Sequence, residues 1–388
     1  MKKRIMTALT AGMLMLTGLA GCSDGDSSSG GEQSSAASVT GTEAETGTTT
    51  SAPEEVTTLP ITLQPSSEPD SSQDDSQAAA EPADISPAMW EFTTDDGVKV
   101  TMLAAMHSLK EECFPLPDYI MDAFNSADVL VNECDMTTAT SNFAVQLEEL
   151  KNMYYADGDS LENHISADTY QKLLEFGTKF NADLSYYSTC KSWVIMALLE
   201  QMVLSQIDLN PNLSADMTLT QLAHDNNKEI YELESAMFQV QLYLGLSDEI
   251  CENLIRGYVD VDLDECLKGY VESYEAWKTG DLQFFEDMYD IEKIKAEAEK
   301  AGTPLSDKQA ELTSLYNSQM VFDRNLGMRD KLKELISSGK KNIFVAIGEA
   351  HFVGEKGLIA LLKAEGYDVK RVDPAGTESK AEDTQEAA

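Results

Sequence analysis

Two apolar runs, residues 100–105 near the start of the foldable part of this chain and 343–347 near its end, limit what it can fold into. Each reads as a β-strand, and each leads through a short turn to a histidine, His107 and His351. Between them, from about 141 to 338, the pattern is mostly helical. Ser166 caps a run with apolar residues at helical spacing. Residues 188–206, with Trp193, Val194, Met196, Leu198, Leu199 and Met202, read as a buried helix. More helices are expected at 217–226, 234–244, 262–279 and 306–338, with one short strand at 229–233. The expected fold class is therefore α/β: an α+β mixed sheet formed by the N- and C-terminal parts of the domain, with a large helical insert.

The flanking pattern agrees. Trp90-Glu-Phe-Thr-Thr, the turn Asp95-Asp96-Gly97 and the first apolar run make a β-hairpin. Pro115-Leu-Pro117 opens a helix through Phe124, since proline is tolerated in a first helical turn. Residues 127–131 form a strand running into Asn132-Glu133-Cys134-Asp135. At the other end, a helix over 354–365 stops at Gly366, and 367–372 is a last strand.

The chain before residue 85 reads differently. Lys2, Lys3 and Arg4, an apolar stretch and Leu19-Ala20-Gly21-Cys22 describe a secretory signal over 1–22, too short to span a membrane. The closing Cys22 resembles a bacterial lipobox, so a lipid-anchored protein facing the outside of the cytoplasm is expected, the alternative being ordinary secretion after a nearby cut. Residues 23–84 carry thirteen acidic residues and no Lys or Arg. Such a segment buries too little apolar surface to offset its ordering entropy and is expected to be a disordered tether. Residues 373–388 read as a disordered tail, which leaves 85–372 as the folded domain.

A net charge of −40, from 28 Lys+Arg against 68 Asp+Glu, excludes nucleic acid as an expected partner. Oligomeric state is not encoded in any readable pattern. The cysteines after Cys22 (113, 134, 190, 251 and 266) lack CxxC or zinc-finger spacing and are expected to be small core residues. There is no GxSxG, GxGxxG, Walker loop or HExxH, so serine-hydrolase, dinucleotide, nucleotide and zincin chemistries lack support.

The two strand exits carry the chemistry. Ala104-Ala-Met-His107 and Gly348-Glu-Ala-His351 each place a small residue three before the histidine. In open α/β sheets ligands sit beyond the carboxyl ends of strands. Two imidazoles there, with Glu133 at a third strand exit, suit a divalent metal such as Zn, Mn, Co or Fe. The plainer reading is two hydrogen-bonded structural histidines near turns, and spacing alone does not choose. Glu349 either reaches the metal or faces solvent. His164 and His224 read as structural or exposed.

Several of these segments resemble the TraB/GumN (PrgY) family: Ala104-Ala-Met-His107 with Pro115-Leu-Pro-Asp118 and 127–133, Tyr231-Glu-Leu-Glu234 with Phe238-Gln239, Asp323-Arg324-Asn325, and 345–358 with its Gly348-x-x-His351. The likeness covers about 88–372. It is similar to the Tiki metalloproteases, in which paired GxxH motifs and an acidic residue form a divalent-metal site, and more distantly to haem-binding ChaN-like proteins and erythromycin esterases. The resemblance implies an EreA/ChaN-like fold and His107, His351 and Glu133 as metal site, Glu133 being third ligand or general base. Arg324 then binds a substrate carboxylate or oxyanion, or else orients Glu133 or Glu234. Glu234 and Asn325 are expected to support the site, the plainer alternatives being a helix-start carboxylate and a residue that fixes its own helix locally. Ala104 departs from the family's glycine.

Two functions remain: a metal-dependent hydrolase acting on a peptide or protein substrate, or a non-catalytic protein that sequesters a peptide, haem or other small ligand.

Overall fold

The computed structural model describes residues 84–139 and 142–374. The expected signal and lipobox with Cys22, the tether up to residue 83 and the tail from 375 lie outside them. Among the described residues the strands are β1 (Met89–Thr93), β2 (Lys99–Ala105), β3 (Val129–Asn132), β4 (Glu229–Glu232), β5 (Asn342–Gly348) and β6 (Lys370–Arg371). They form a mixed sheet in the order β4-β3-β5-β2-β1-β6, in which β2 to β5 run parallel and β1 is antiparallel to both its neighbours. β5 lies between β3 and β2, with Val131 opposite Val345 and Ala105 opposite Gly348. The strands from the two ends of the domain share one sheet, as expected.

Sequence explains which strand goes where. β2, β3 and β5 are covered on both faces and so are nearly unbroken apolar runs. β1 instead alternates: Trp90 and Phe92 point into the core, while half-buried Glu91 pairs with Lys99 at 2.7 Å. Gly97 supplies the positive φ, +80°, that the hairpin turn requires. Trp90 stacks on Phe352, ring centroids 4.9 Å apart, fastening the turn after β5 to the sheet.

The helices are α1 (Asp118–Ser126), α2 (Met136–Ala139), α3 (Phe143–Asn152), α4 (Ala167–Thr178), α5 (Ser192–Leu204), α6 (Ala215–Asp225) and α7 (Ala236–Leu244). After them come α8 (Asp248–Val259), α9 (Leu263–Thr279), α10 (Leu282–Tyr289), α11 (Ile291–Lys300), α12 (Asp307–Asn317), α13 (Asp323–Ile336) and α14 (Leu358–Ala364). Side chains of Ser166, Ser214, Ser235, Ser247 and Ser306 cap the first turns of α4, α6, α7, α8 and α12. α5 is buried almost all round, as its composition implies. No described helix is long and apolar enough to cross a membrane. The five described cysteines are buried free thiols.

Three expected elements differ. The helix expected over 306–338 is broken by a π-helical turn, Ser318–Phe322, between α12 and α13. The helix expected from 354 begins only at Leu358, because Gly354 takes φ +76° and Gly357 is the cap. The final strand keeps two paired residues, Lys370 and Arg371, where it meets the edge strand β1.

Candidate functional site

The carboxyl ends of β2, β3 and β5 lie side by side, so the segments leaving these strands share one edge of the sheet. His107 comes two residues after β2, Glu133 directly after β3, and His351 on a short 3₁₀ turn (Glu349–Phe352) after β5. Nε2 of His351 lies 3.6 Å and Nε2 of His107 3.9 Å from the same atom, Oε1 of Glu133. Gly348 makes the approach possible. A Cβ there would lie 3.0 Å from His107 Nε2 and 3.2 Å from Glu133 Oε1. Its φ is −53°, so closeness rather than a left-handed backbone is what glycine provides. Ala104, inside regular β2, faces no such demand.

Each imidazole has an outer partner on Nδ1. Asn325 donates from Nδ2 to the Lys356 carbonyl at 2.9 Å, which turns its Oδ1 to His351 Nδ1 at 2.6 Å. The imidazole therefore donates from Nδ1, and its Nε2 presents a lone pair to Glu133. On the other side, Asp216 Oδ1 stands 3.3 Å from His107 Nδ1 but out of line for a hydrogen bond, and neither atom has a hydrogen-bond partner.

Glu133 is held from behind. Its Oε1 accepts from Gly348 N–H at 2.9 Å, and its Oε2 from Arg324 Nη2 at 2.7 Å and Gln239 Nε2 at 3.2 Å. Arg324 also forks onto Glu234, Nε to Oε1 at 2.8 Å and Nη2 to Oε2 at 2.6 Å. Its Nη1 donates to the Met320 carbonyl at 2.6 Å, inside the π turn, so that irregular turn helps aim the guanidinium. Four of the five donors of Arg324 are thus engaged by the protein itself. Gln239 spans Glu133 and Glu234 and accepts from the Cys134 thiol at 3.1 Å.

Charge differs sharply across this small space. Burial opposes ionisation of Glu133, but His351, Arg324, His107 and the Gly348 N–H hold its carboxyl well below the usual range. Burial drives His351 down to about 3, against the pull of Glu133, so at neutral pH Arg324 and His107 carry the compensation. For His107 burial is outweighed by Asp216, Glu133 and Glu349, and the imidazole rises to about 10. Glu349 faces neither open solvent nor an exposed rim: it is buried, and burial raises its carboxyl to about 7. Together with Glu200, raised by burial to about 8, it lines a small cavity beside His107 with Ser108 and Tyr270.

His107, Glu133, His351, Arg324, Glu234, Asn325, Gly348 and Glu349 are thus brought together. His164 lies elsewhere, between Asp159 and Asp248 at 2.8 Å each, and His224 bonds Asp135 at 2.7 Å. Sequence reasoning missed Asp216 and Glu200. Asp216 looks like any acid in a first helical turn, whereas Glu200 had a signal, being the only charged residue in the apolar α5.

The donor chemistry fits a divalent cation: an unprotonated imidazole nitrogen aimed at an ionised carboxylate oxygen is an unbalanced contact that a shared cation would satisfy. The spacing is wider than a closed set, since bonds of about 2.0–2.2 Å put tetrahedral donors roughly 3.4 Å apart. Among the described residues, accordingly, no group of three His, Cys, Asp or Glu is set to hold an ion as it stands.

Residues 88–371 match the sequence model of the TraB/PrgY/gumN family. The protein YbaP of Escherichia coli (strain K12) is 25% identical over 262 residues, 68% of this chain and 87% of that protein. Metalloprotease TIKI1 of Xenopus tropicalis is 23% identical over 301 residues, 67% of this chain and 56% of that one. A metalloprotease TIKI homolog of Nematostella vectensis is 32% identical over 65 residues, 16% and 14% of the two chains. No solved structure matches.

Proposed function

The chain belongs to the TraB/PrgY/gumN family, and from that premise we propose that it is a divalent-metal-dependent hydrolase acting on peptides. The observation that carries this reading is the convergence of two imidazole Nε2 atoms on Glu133 Oε1, at 3.6 and 3.9 Å. The distant likeness to proteins named metalloproteases supports it. His107, His351 and Glu133 Oε1 would hold the ion; Zn, Mn, Co or Fe suits this donor set. Once bound, such an ion supplies Lewis acidity and a water of lowered pKa.

The chain's own residues do the rest. Asn325 fixes which nitrogen of His351 faces the centre, and the Asp216 carboxylate stands on the outer side of His107. Arg324 and Gln239 hold Glu133 by its other oxygen, leaving Oε1 for the centre, so Arg324 acts as a positioning residue. Glu349, with a carboxyl pushed up to about 7, is suited to take a proton from the attacking water and return it to the leaving amine.

Metal analysis of purified full-length chain, followed by a peptide-library cleavage screen with the preferred ion, tests the reading. We expect stoichiometric metal that is lost in His107→Ala and His351→Ala together with cleavage. Absence of metal, with those variants behaving as wild type, would point instead to the sequestering protein. We further place the protein at the outer face of the membrane through an acylated Cys22, supported by the lipobox-like Leu19-Ala20-Gly21-Cys22. Loss of fatty-acid labelling in Cys22→Ser is the expected check.

A further inference from the structure

Hydrolysis of a peptide bond puts negative charge on the carbonyl oxygen, and a donor must receive it. Arg324 is engaged with Glu133, Glu234 and Met320, and His351 donates away from the centre to Asn325. Tyr289 has no such engagement. It ends α10, the helix packed on the 3₁₀ turn that carries Glu349 and His351. Its ring meets Phe322 of the π turn edge-on, centroids 6.1 Å apart. The side chain is 7% exposed, and its hydroxyl is buried with no hydrogen-bond partner in the protein. Burial keeps the phenol protonated well past neutrality, and the charges of Glu349, Tyr316 and Glu133 act on it in the same direction. A buried hydroxyl without a partner costs stability that Phe in the same space would not.

We propose that the Tyr289 hydroxyl is a catalytic residue: the donor that binds the substrate carbonyl oxygen as it becomes an oxyanion. This rests on the hydrolase reading above. The water oxygen bonds to the carbonyl carbon, its proton passes to Glu349, and the C=O π pair moves onto the oxygen facing Tyr289. As the C–N bond breaks, that pair returns and the proton goes to the amine. Tyr289 lends a hydrogen bond and loses no proton.

The test is Tyr289→Phe in the full chain, assayed on a peptide taken from the library screen with the preferred metal. We expect kcat to fall about 10²–10³-fold with KM and metal content little changed, while the melting temperature of the metal-free protein holds or rises. A kcat equal to wild type overturns the proposal, and so does a lowered melting temperature, which would mean that the hydroxyl has a structural partner. A wild-type chain that cleaves no peptide overturns both this inference and the hydrolase reading; an unaffected variant of an active chain overturns this one alone.

Discussion

The two histidine turns are near copies in sequence and opposites in environment. After β5, His351 is 2% exposed, anchored by the neutral Asn325 amide and driven down to about 3. After β2, His107 keeps 15% of its side chain exposed, faces the Asp216 carboxylate and rises to about 10. One motif thus delivers an imidazole that stays neutral and another that carries a proton. The outer partner, rather than the motif, sets the charge. In metal-free protein at neutral pH, the His107 proton is the positive charge closest to where an ion would sit on that side. At the proposed metal site an incoming ion would have to displace it, so affinity should rise with pH up to about 10.

The largest expected effect lies between the turns. Arg324→Ala would leave Glu133 and Glu234 buried without their shared cation. A loss of about 3–5 kcal/mol in chemical denaturation is expected, comparable to other broken buried pairs. A loss below about 1 kcal/mol would show that the carboxylates are not held as described.

The next effect separates the histidines by pH. The raised His107 stabilises the fold fully below about 6.5 and loses that contribution as pH climbs toward 10, because the native state holds the proton longer. The lowered His351 acts in reverse: its contribution is lost as pH falls from 6.5 toward 3. Each limb approaches a slope of about 1.4 kcal/mol per pH unit. His107→Gln should flatten the alkaline limb and His351→Gln the acid one; a swap of these outcomes would break the comparison. Imidazole NMR of Asp216→Asn should show His107 moving down from about 10 and His351 unmoved.

Smaller effects sharpen the contrast between glycine and alanine. Gly348→Ala pushes a Cβ against His107 and Glu133, and a loss of about 1–3 kcal/mol is expected by thermal melting. Ala104→Gly, the change that would restore the family's residue, should cost only about 0.5–1 kcal/mol from backbone entropy and leave metal affinity alone.

Much of this was readable from residues alone, and the exceptions have physical causes. β2, β3 and β5 declared themselves because parallel strands covered on both faces must be apolar throughout. His107, Glu133 and His351 stood out because they come at the ends of such strands. Asp216 escaped because an acid in a first helical turn already has a sufficient local explanation. The π turn escaped because residues 318–322 keep helical propensity, and only the Arg324–Met320 bond reveals its use. Gly354 read as a helix start until its positive φ showed it to be a turn. For Glu349 sequence did not choose between metal and solvent, because a charged residue after a strand usually finds water; the 3₁₀ turn folds it inward.

The place of β5 in the sheet has a consequence for biosynthesis. Among the described strands it leaves the ribosome after β1 to β4, yet it is the one that joins β4 and β3 to β2 and β1. A polypeptide cut short before Asn342 has two half-sheets with nothing to unite them, and His107 and Glu133 have no reason to meet. The candidate centre cannot form piecemeal during translation; it comes into being only when β5 threads itself between the two halves.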